Sequence, residues 1–329
     1  MITQNLTAVI TGVAGQDGSY LSELLLSKGY RVIGITRRLG TVVKYMNIDH
    51  LLVNENFELF EGDICDNTLI SRILHDNKPH EWYNLAAMSH VGQSFREPLT
   101  TFEVDAKAVI GQLEMIRQIS PYTRFYQAST SELFGGLSCP KEGYTELSRF
   151  HPRSPYGVAK LASFWAVKNY REAYGLFACN GILHNHSSPR RGHDFATRKI
   201  TRGVAAVKLG LKRSLKMGNL EAFRDEGHSK DYVRAMWMML QAKVADDYLV
   251  ATGSGATIRE MLEHVCDLAD LDPNDVYELD ERFMRPSEVP FLLGNPSRIM
   301  SDLGWEPELS WKDLLKEMYD NDLNELSEE

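Results

Sequence analysis

Gly12, Gly15 and Gly18 stand between a strand-length apolar run, Thr7 to Thr11, and a helical pattern from Ser19 to Lys28 with Leu21, Leu24 and Leu25 on one face. Glycines at this spacing let the backbone turn sharply and set N–H groups and a positive helix end against a pyrophosphate, which bulkier residues would hold away. An ordinary tight turn uses the same residues, but it has no reason to follow the first strand of a βαβ series. That series continues here. Arg31 to Thr36 reads as a second strand and Phe57 to Asp63 as a third, after which Asp66 caps a helix through Leu69, Ile70, Ile73 and Leu74. Tyr83 to Ala87 ends a fourth strand, a long amphipathic helix covers Thr100 to Gln118, and Arg124 to Thr130 is a fifth strand. Ser154 to Tyr174 is again helical, and Phe177 to Leu183 reads as a sixth strand that leaves the sheet.

Strands alternating with helices predict an α/β fold, a Rossmann-type doubly wound parallel sheet. Beyond Leu183 the alternation weakens. Ser188 to Gly192 reads as a loop, Thr197 to Lys208 and Asp231 to Lys243 as helices, Tyr248 to Thr252 as a strand, and Ile258 to Leu268 as a helix. A short helix closes the chain after the turn at Leu303 to Trp305, and the acidic tail from Asp320 reads as frayed. With 329 residues and 43% hydrophobic content, the chain can fill one large core and a smaller one. The expected division is a dinucleotide-binding domain of residues 1–182 and about 216–253, with a smaller mixed α/β substrate domain of about 183–215 and 254–329.

A net charge of −9 argues against nucleic acid and anionic membranes as partners, so an anionic ligand must be met by a few placed cations. Cys65, Cys139, Cys179 and Cys266 show no metal-ligand spacing and no disulfide framework. Four free thiols suit a reducing compartment, and no apolar run is long enough to span a bilayer, so a cytoplasmic protein is expected.

Two further features carry chemistry. At the end of the second strand, where NAD enzymes place a carboxylate on the adenine ribose, the chain reads Thr36-Arg37-Arg38, which favours the 2′-phosphate of NADP. Asp63 closes the third strand, placed either to meet the adenine amine or to cap the following turn. Tyr156 and Lys160 lie four apart on one helix face, one helix after a strand that ends in Ser129-Thr130. An ammonium so placed lowers a tyrosine pKa from about 10 and lets the phenolate act as a base.

On these residues the chain resembles the extended short-chain dehydrogenase/reductase family. The strings TGVAGQDGSYL, YNLAAMSHVGQSF, ASTSELFG, PRSPYGVAK, SPRRG, TRKI and RPSEV are similar, in order, to its GDP-mannose 4,6-dehydratase branch. The resemblance implies a hydride cycle in one site: oxidation at C4 with Tyr156 as base, elimination of water across C5–C6, and return of hydride to C6. It implies Thr130, Glu132, Tyr156 and Lys160 as the catalytic set, with Glu132 as the base for the C5 proton. Ser131 stands where glucose-type dehydratases carry an aspartate. Gly12, Gly15, Gln16, Asp17, Gly18, Arg37, Arg38, Asp63, Leu85, Ala86 and Arg190, together with Tyr156 and Lys160, are implied to meet NADP. Ser89, Asn185, Lys199, Arg224, Arg285 and Glu288 are implied to hold GDP-mannose or a related GDP-sugar, in a homodimer or homotetramer.

Three departures from the resemblance bear on the sugar and the assembly. The loop Gly136 to Phe150 is about two residues longer, Ser187 replaces an acidic residue near the sugar, and Leu39 to Lys44 replaces a Ser-rich, Arg-ended segment that reaches a neighbouring subunit. The first two leave GDP-manno-heptose as an alternative substrate. A non-catalytic NADP-sensing regulator on the same scaffold is the reading from another class, and the presence of all four catalytic residues weighs against it.

Overall fold

The computed structural model describes residues 6–37, 45–284 and 286–328. Six strands come first: β1 (Thr7–Thr11), β2 (Arg31–Thr36), β3 (Phe57–Glu61), β4 (Glu81–Asn84), β5 (Arg124–Thr130) and β6 (Ala178–Leu183). There follow β7 (Asn185–Ser187), β8 (Leu215–Met217), β9 (Phe223–His228), β10 (Tyr248–Val250), β11 (Gly255–Thr257), β12 (Tyr277–Leu279) and β13 (Phe291–Leu292). A seven-stranded parallel sheet runs in the order β10-β6-β5-β4-β1-β2-β3. The order reverses between β1 and β4, so a crevice opens at the carboxyl ends of these two strands. Both faces of the sheet are covered. Ala8 and Ile10 pack with Leu21, Leu25 and Met236 on one side, while Val9 packs with Ile33, Trp82, Ile70 and Leu113 on the other.

Several boundaries differ from the sequence reading. The sixth strand stays in the sheet: β6 pairs with β5 along its length and with β10 on its other edge. It is buried throughout, as a parallel strand covered on both faces must be. The first helix spans Gln16–Ser27 and begins before the leucine pattern, because extended Gly15 offers its carbonyl to the Ser19 N–H at 3.1 Å. β4 stops at Asn84, since the N–H groups of Leu85 and Ala86 turn to the Thr11 hydroxyl, both at 3.1 Å. The helix expected from Thr100 to Gln118 is interrupted by a π-helical turn, Glu103–Lys107, between Pro98–Phe102 and Ala108–Ile119.

The second half builds a smaller assembly. β7, β9, β11 and β13 form one sheet, β8 pairs with β12, and the core beneath them joins Ile200, Val204, Met261, Leu262, Val265 and Leu315. Strand pairing groups residues 215–228 with these small sheets, so the return to the main sheet begins at helix Ser229–Gln241 and not near residue 216. The tail is also ordered differently from expectation. Helix Trp311–Glu328 buries Leu314, Leu315, Met318, Tyr319 and Asp322 on one face. Asp322 accepts from the Thr201 hydroxyl at 2.6 Å and pairs with buried Arg198 at 2.7 Å. The acidic character of the tail hid one acid aimed at a buried arginine. Among the described residues no helix is long and apolar enough to cross a membrane.

Candidate active site

The crevice holds a cavity of about 600 Å³ whose first wall is the glycine turn. Gly12 follows β1 with φ +69°, and a side chain there would meet Ala86 N at 2.8 Å. A Cβ on Gly18 would lie 2.5 Å from Gly12 O and 2.6 Å from Val13 Cα, so the first helical turn seats directly on the loop. The Thr11 hydroxyl donates to Asn84 Oδ1 at 2.8 Å while accepting from Leu85 and Ala86, which locks the ends of β1 and β4 together. This bare backbone at a helix start fits a pyrophosphate. Gln16 and Asp17 line the same wall, but their side chains tie it to the opposite one. Asp17 Oδ2 meets His186 Nε2 at 2.8 Å, and Gln16 Oε1 accepts from Ser188 Oγ at 2.9 Å. Burial alone would raise the Asp17 carboxyl, but His186, Arg191 and Gln16 together hold it below its ordinary value.

The floor comes from β5 and the helix that follows it. Thr130 ends β5 and its hydroxyl accepts the Glu132 N–H at 3.2 Å, opening a single 3-10 turn, Ser131–Leu133, that buries Glu132. Ser154 caps helix Pro155–Tyr174 through the Gly157 N–H at 3.0 Å, with Pro155 in the first turn. That cap sets Tyr156 and Lys160 on the first two turns, both buried and both facing the cavity. Lys160 Nζ donates to Ala128 O at 3.0 Å and lies 5.7 Å from the Tyr156 ring centroid.

The expected lowering of the Tyr156 pKa is not found. Burial raises it, and Asp105 and Glu132 add to the rise, while the hydrogen bond with Thr130 and the charge of Arg191 pull the other way. Lys160 is itself buried, which lowers its own proton affinity against the support of Asp105. Asp105 had not been singled out. It sits in the π turn, fully buried, with Oδ1 accepting from Met88 N at 2.8 Å and burial raising its carboxyl. An acid on the apolar face of an amphipathic helix was the available signal.

The facing wall runs from His184 to Ala196 with Arg224 beside it. Asn185, Ser89 and Arg224 line the cavity, and Arg224 pairs with Glu288 at 3.5 Å, though Glu288 is not itself among the lining residues. Burial and Arg224 push the imidazole of His184 down to about 3, so it stays neutral. Lys199 does not line the cavity. Its ammonium lies 3.3 Å from the centroid of the Phe283 ring. Arg37, Asp63, Leu85 and Ala86 do line it, and Asp63 Oδ1 also accepts from Cys65 N at 2.9 Å, a turn-capping bond. Arg38, Arg285 and the Leu39 to Lys44 segment lie outside the described residues.

Of the paired arginines, Arg190 faces the first helix. It donates to Ser19 Oγ at 3.0 Å, pairs with Glu23 at 2.6 Å and stacks on Tyr20. Arg191, which had not been assigned, lies against the Phe195 ring at 3.8 Å, and its buried Nε has no hydrogen-bond partner among the described residues. Both arginines line the cavity, Arg190 on the side of the first helix and Arg191 beside Phe195. Ser187, which stands where an acid was expected, donates to Glu226 Oε1 at 2.5 Å across the β7–β9 pairing. A carboxylate supplied by another strand therefore lies beside Ser187, buried behind the wall.

The family model and the sequence relatives agree on one family. A family model described as GDP-mannose 4,6 dehydratase matches residues 9–318. The GDP-mannose 4,6-dehydratase of Vibrio cholerae is 45% identical, over 96% of this chain and 93% of that protein. GDP-mannose 4,6 dehydratase 2 of Arabidopsis thaliana is 46% identical, over 96% of this chain and 86% of its own length. Among solved structures, UDP-glucose 4-epimerase of Thermotoga maritima superposes with a TM-score of 0.85 at 23% identity, covering 98% of this chain and 100% of that one. The dTDP-glucose 4,6-dehydratase of Bacillus anthracis, solved with NAD, gives 0.84 at 20% identity, with 96% of each chain covered. These two likenesses speak to the fold.

Proposed function

The chain belongs to the GDP-mannose 4,6-dehydratase family, and on that premise we propose that it converts GDP-mannose to GDP-4-keto-6-deoxymannose, retaining a nicotinamide dinucleotide through each turnover. One observation carries the reading most: Thr130, Glu132, Tyr156 and Lys160 line a single cavity with the glycine turn on one side and Asn185 and Arg224 on the other. When bound, the dinucleotide supplies the hydride acceptor and donor, held by the glycine turn.

The chain's own residues then have separate tasks. Tyr156, as its phenolate, takes the proton of the 4-hydroxyl as C4 is oxidised, and the Thr130 hydrogen bond and the charge of Arg191 are the groups that favour that ionised form. The resulting ketone acidifies the C5 hydrogen. Glu132 removes that hydrogen as a proton and returns it to the departing 6-hydroxyl, which leaves as water and opens a C5–C6 double bond. With hydride returned to C6 from a bound dinucleotide, C5 takes up a proton that replaces the one Tyr156 removed from the 4-hydroxyl and leaves Tyr156 ready for the next turnover. The sugar ends as the 4-keto-6-deoxy product with no net redox change. Lys160 holds the site through Ala128 O and adds positive charge under the ring of Tyr156.

NADP is the proposed dinucleotide, because the end of β2 offers Arg37 to the cavity and no carboxylate. Arg37→Ala should weaken NADP binding about tenfold and leave NAD nearly untouched. A homo-oligomer is proposed from the exposed apolar residues Leu99, Phe102, Ile110 and Trp165 on neighbouring helices, and a cytoplasmic location from four free thiols. The test of the activity is incubation with GDP-mannose and, in parallel, GDP-manno-heptose, following loss of water by mass. A product lighter than GDP-mannose by one water is expected. Turnover of the heptose alone would transfer the assignment to that sugar.

A further inference from the structure

At the carboxyl edge of the main sheet stands an imidazole to which the proposed chemistry gives no task. His184 follows β6 directly and carries on its alternation, so it lies on the same sheet face as Ile182, which packs with Leu133 and Phe134. Its ring centroid is 6.3 Å from that of Phe134. A Cβ on Gly294 would come within 2.9 Å of His184 Cδ2, so the bare glycine leaves the ring its place. The main chain of His184 is fully engaged: its N–H donates to Val250 O at 2.9 Å, and its carbonyl accepts from His186 Nδ1 at 2.8 Å. The side chain is not. His184 is 1% exposed and lines the cavity, yet neither ring nitrogen has a hydrogen-bond partner among the described residues. Ser129, which pairs with Ile182 from the neighbouring strand, also lines the cavity, and its buried hydroxyl likewise has no partner among the described residues.

A buried polar group without a partner costs about 1–3 kcal/mol, a cost that a ligand removes when it supplies the partner. The imidazole is neutral, held so by burial first and by the charge of Arg224. It therefore offers one donor and one acceptor, and a hydroxyl answers with one of each, whereas a pyrophosphate is an acceptor only. Tyr156 and Glu132 attend to C4, C5 and C6 of the sugar, which leaves the hydroxyls of C2 and C3 to be recognised by other groups. We propose that His184 is a specificity-determining residue that hydrogen-bonds one of these two non-reacting hydroxyls. The inference rests on the reading that this cavity takes a nucleotide sugar, and it assigns the sugar end of that ligand to the wall where His184 and Asn185 stand side by side.

The test is dehydration by the full-length protein, wild type against His184→Phe, with GDP-mannose and its 2-deoxy and 3-deoxy analogues as substrates. Phenylalanine keeps a flat ring beside Phe134 and removes both nitrogens. For GDP-mannose, kcat/KM should fall about tenfold, the scale of one hydrogen bond, while NADP+ affinity by titration is unchanged. The wild type should use one of the two deoxy sugars about tenfold less well than GDP-mannose, and His184→Phe should erase most of that preference. The melting temperature of the variant should hold or rise, since two buried polar atoms without partners are gone. Unchanged kcat/KM with an unchanged preference overturns the inference and leaves His184 a packing residue. Weaker NADP+ binding with the sugar preference intact also overturns it and places the imidazole at the dinucleotide. Should His184→Phe not be recovered folded, the wild type decides alone: a lower kcat/KM for one deoxy sugar supports the inference, and equal values for all three sugars overturn it. Wild-type protein that releases no water from GDP-mannose overturns the functional reading and this inference with it.

Discussion

Gly12, Gly15 and Gly18 hold their wall of the cavity by backbone contact, whereas the facing wall, His184 to Ala196 with Arg224, is held by buried charge. At Gly12 and Gly18 an added Cβ meets main-chain atoms at 2.5 to 2.8 Å, so close backbone packing sets the shape of the loop. Across the cavity, Asp17 and His186 pair at 2.8 Å, Ser187 bonds Glu226, and Arg191 stacks on Phe195. A wall made by exclusion presents one shape to any pyrophosphate. A wall made of compensated charges has an affinity that single substitutions can raise or lower.

The largest predicted effect belongs to the floor between the walls. Glu132→Gln keeps shape and removes the proton shuttle, so dehydration should fall roughly 10²-fold or more with dinucleotide binding unchanged. A wild-type rate of product formation would place the base elsewhere. Gly18→Val comes next, striking Gly12 O and Val13 Cα, neither of which can be relieved by a rotamer change. Overpacking of this kind costs about 1–3 kcal/mol, enough to lower NADP affinity roughly ten- to a hundredfold by titration. Unchanged affinity would mean that the turn is not the pyrophosphate site.

On the charged wall, Arg191→Ala should weaken pyrophosphate binding about tenfold, the scale of one lost charge-assisted hydrogen bond. Arg190→Ala should lower thermal stability by about 1 kcal/mol through the lost Ser19 and Glu23 contacts and change affinity less. Equal effects on binding would erase the distinction between the two arginines. The smallest effect concerns helix Trp311–Glu328, which is tied to helix Ala196–Lys208 through Asp322. Burial first, opposed by Thr201 and Arg198, pushes the Asp322 carboxyl up to about 6. The folded protein thus holds this proton more tightly than the unfolded chain. The stabilisation is complete below about pH 4 and lost as pH rises through about 6. Asp322→Asn should flatten the fall in melting temperature between pH 4 and pH 7, and an unaltered slope would assign the titration to another group.

What was legible in the sequence follows the same division. The glycine turn, β1 to β6 and the Ser154 cap rest on local patterns, residue type at fixed spacing, and they appear where the chain predicted them to within a few residues. Asp105 and Glu226 depend on which residues meet across the chain, 17 positions for Asp105 and Met88 and 39 for Glu226 and Ser187, and no local pattern encodes that. The tail shows the limit clearly: composition suggested fraying, while Asp322, aimed at Arg198 and Thr201, anchors the last helix. The Lys160 expectation failed for a related reason. Spacing gave the pair, but burial and Asp105 decide the Tyr156 pKa.

The central claim is that oxidation, elimination and reduction occur within one cavity on one bound dinucleotide. Its most direct test is turnover of GDP-mannose deuterated at C4, with the product followed by mass and proton NMR and the reduced cofactor by absorbance. Deuterium at C6 of the 4-keto-6-deoxy product, with no net release of NADPH, is the predicted result. Loss of the deuterium to solvent, or NADPH accumulating in step with a 4-keto sugar that still carries its 6-hydroxyl, would contradict it.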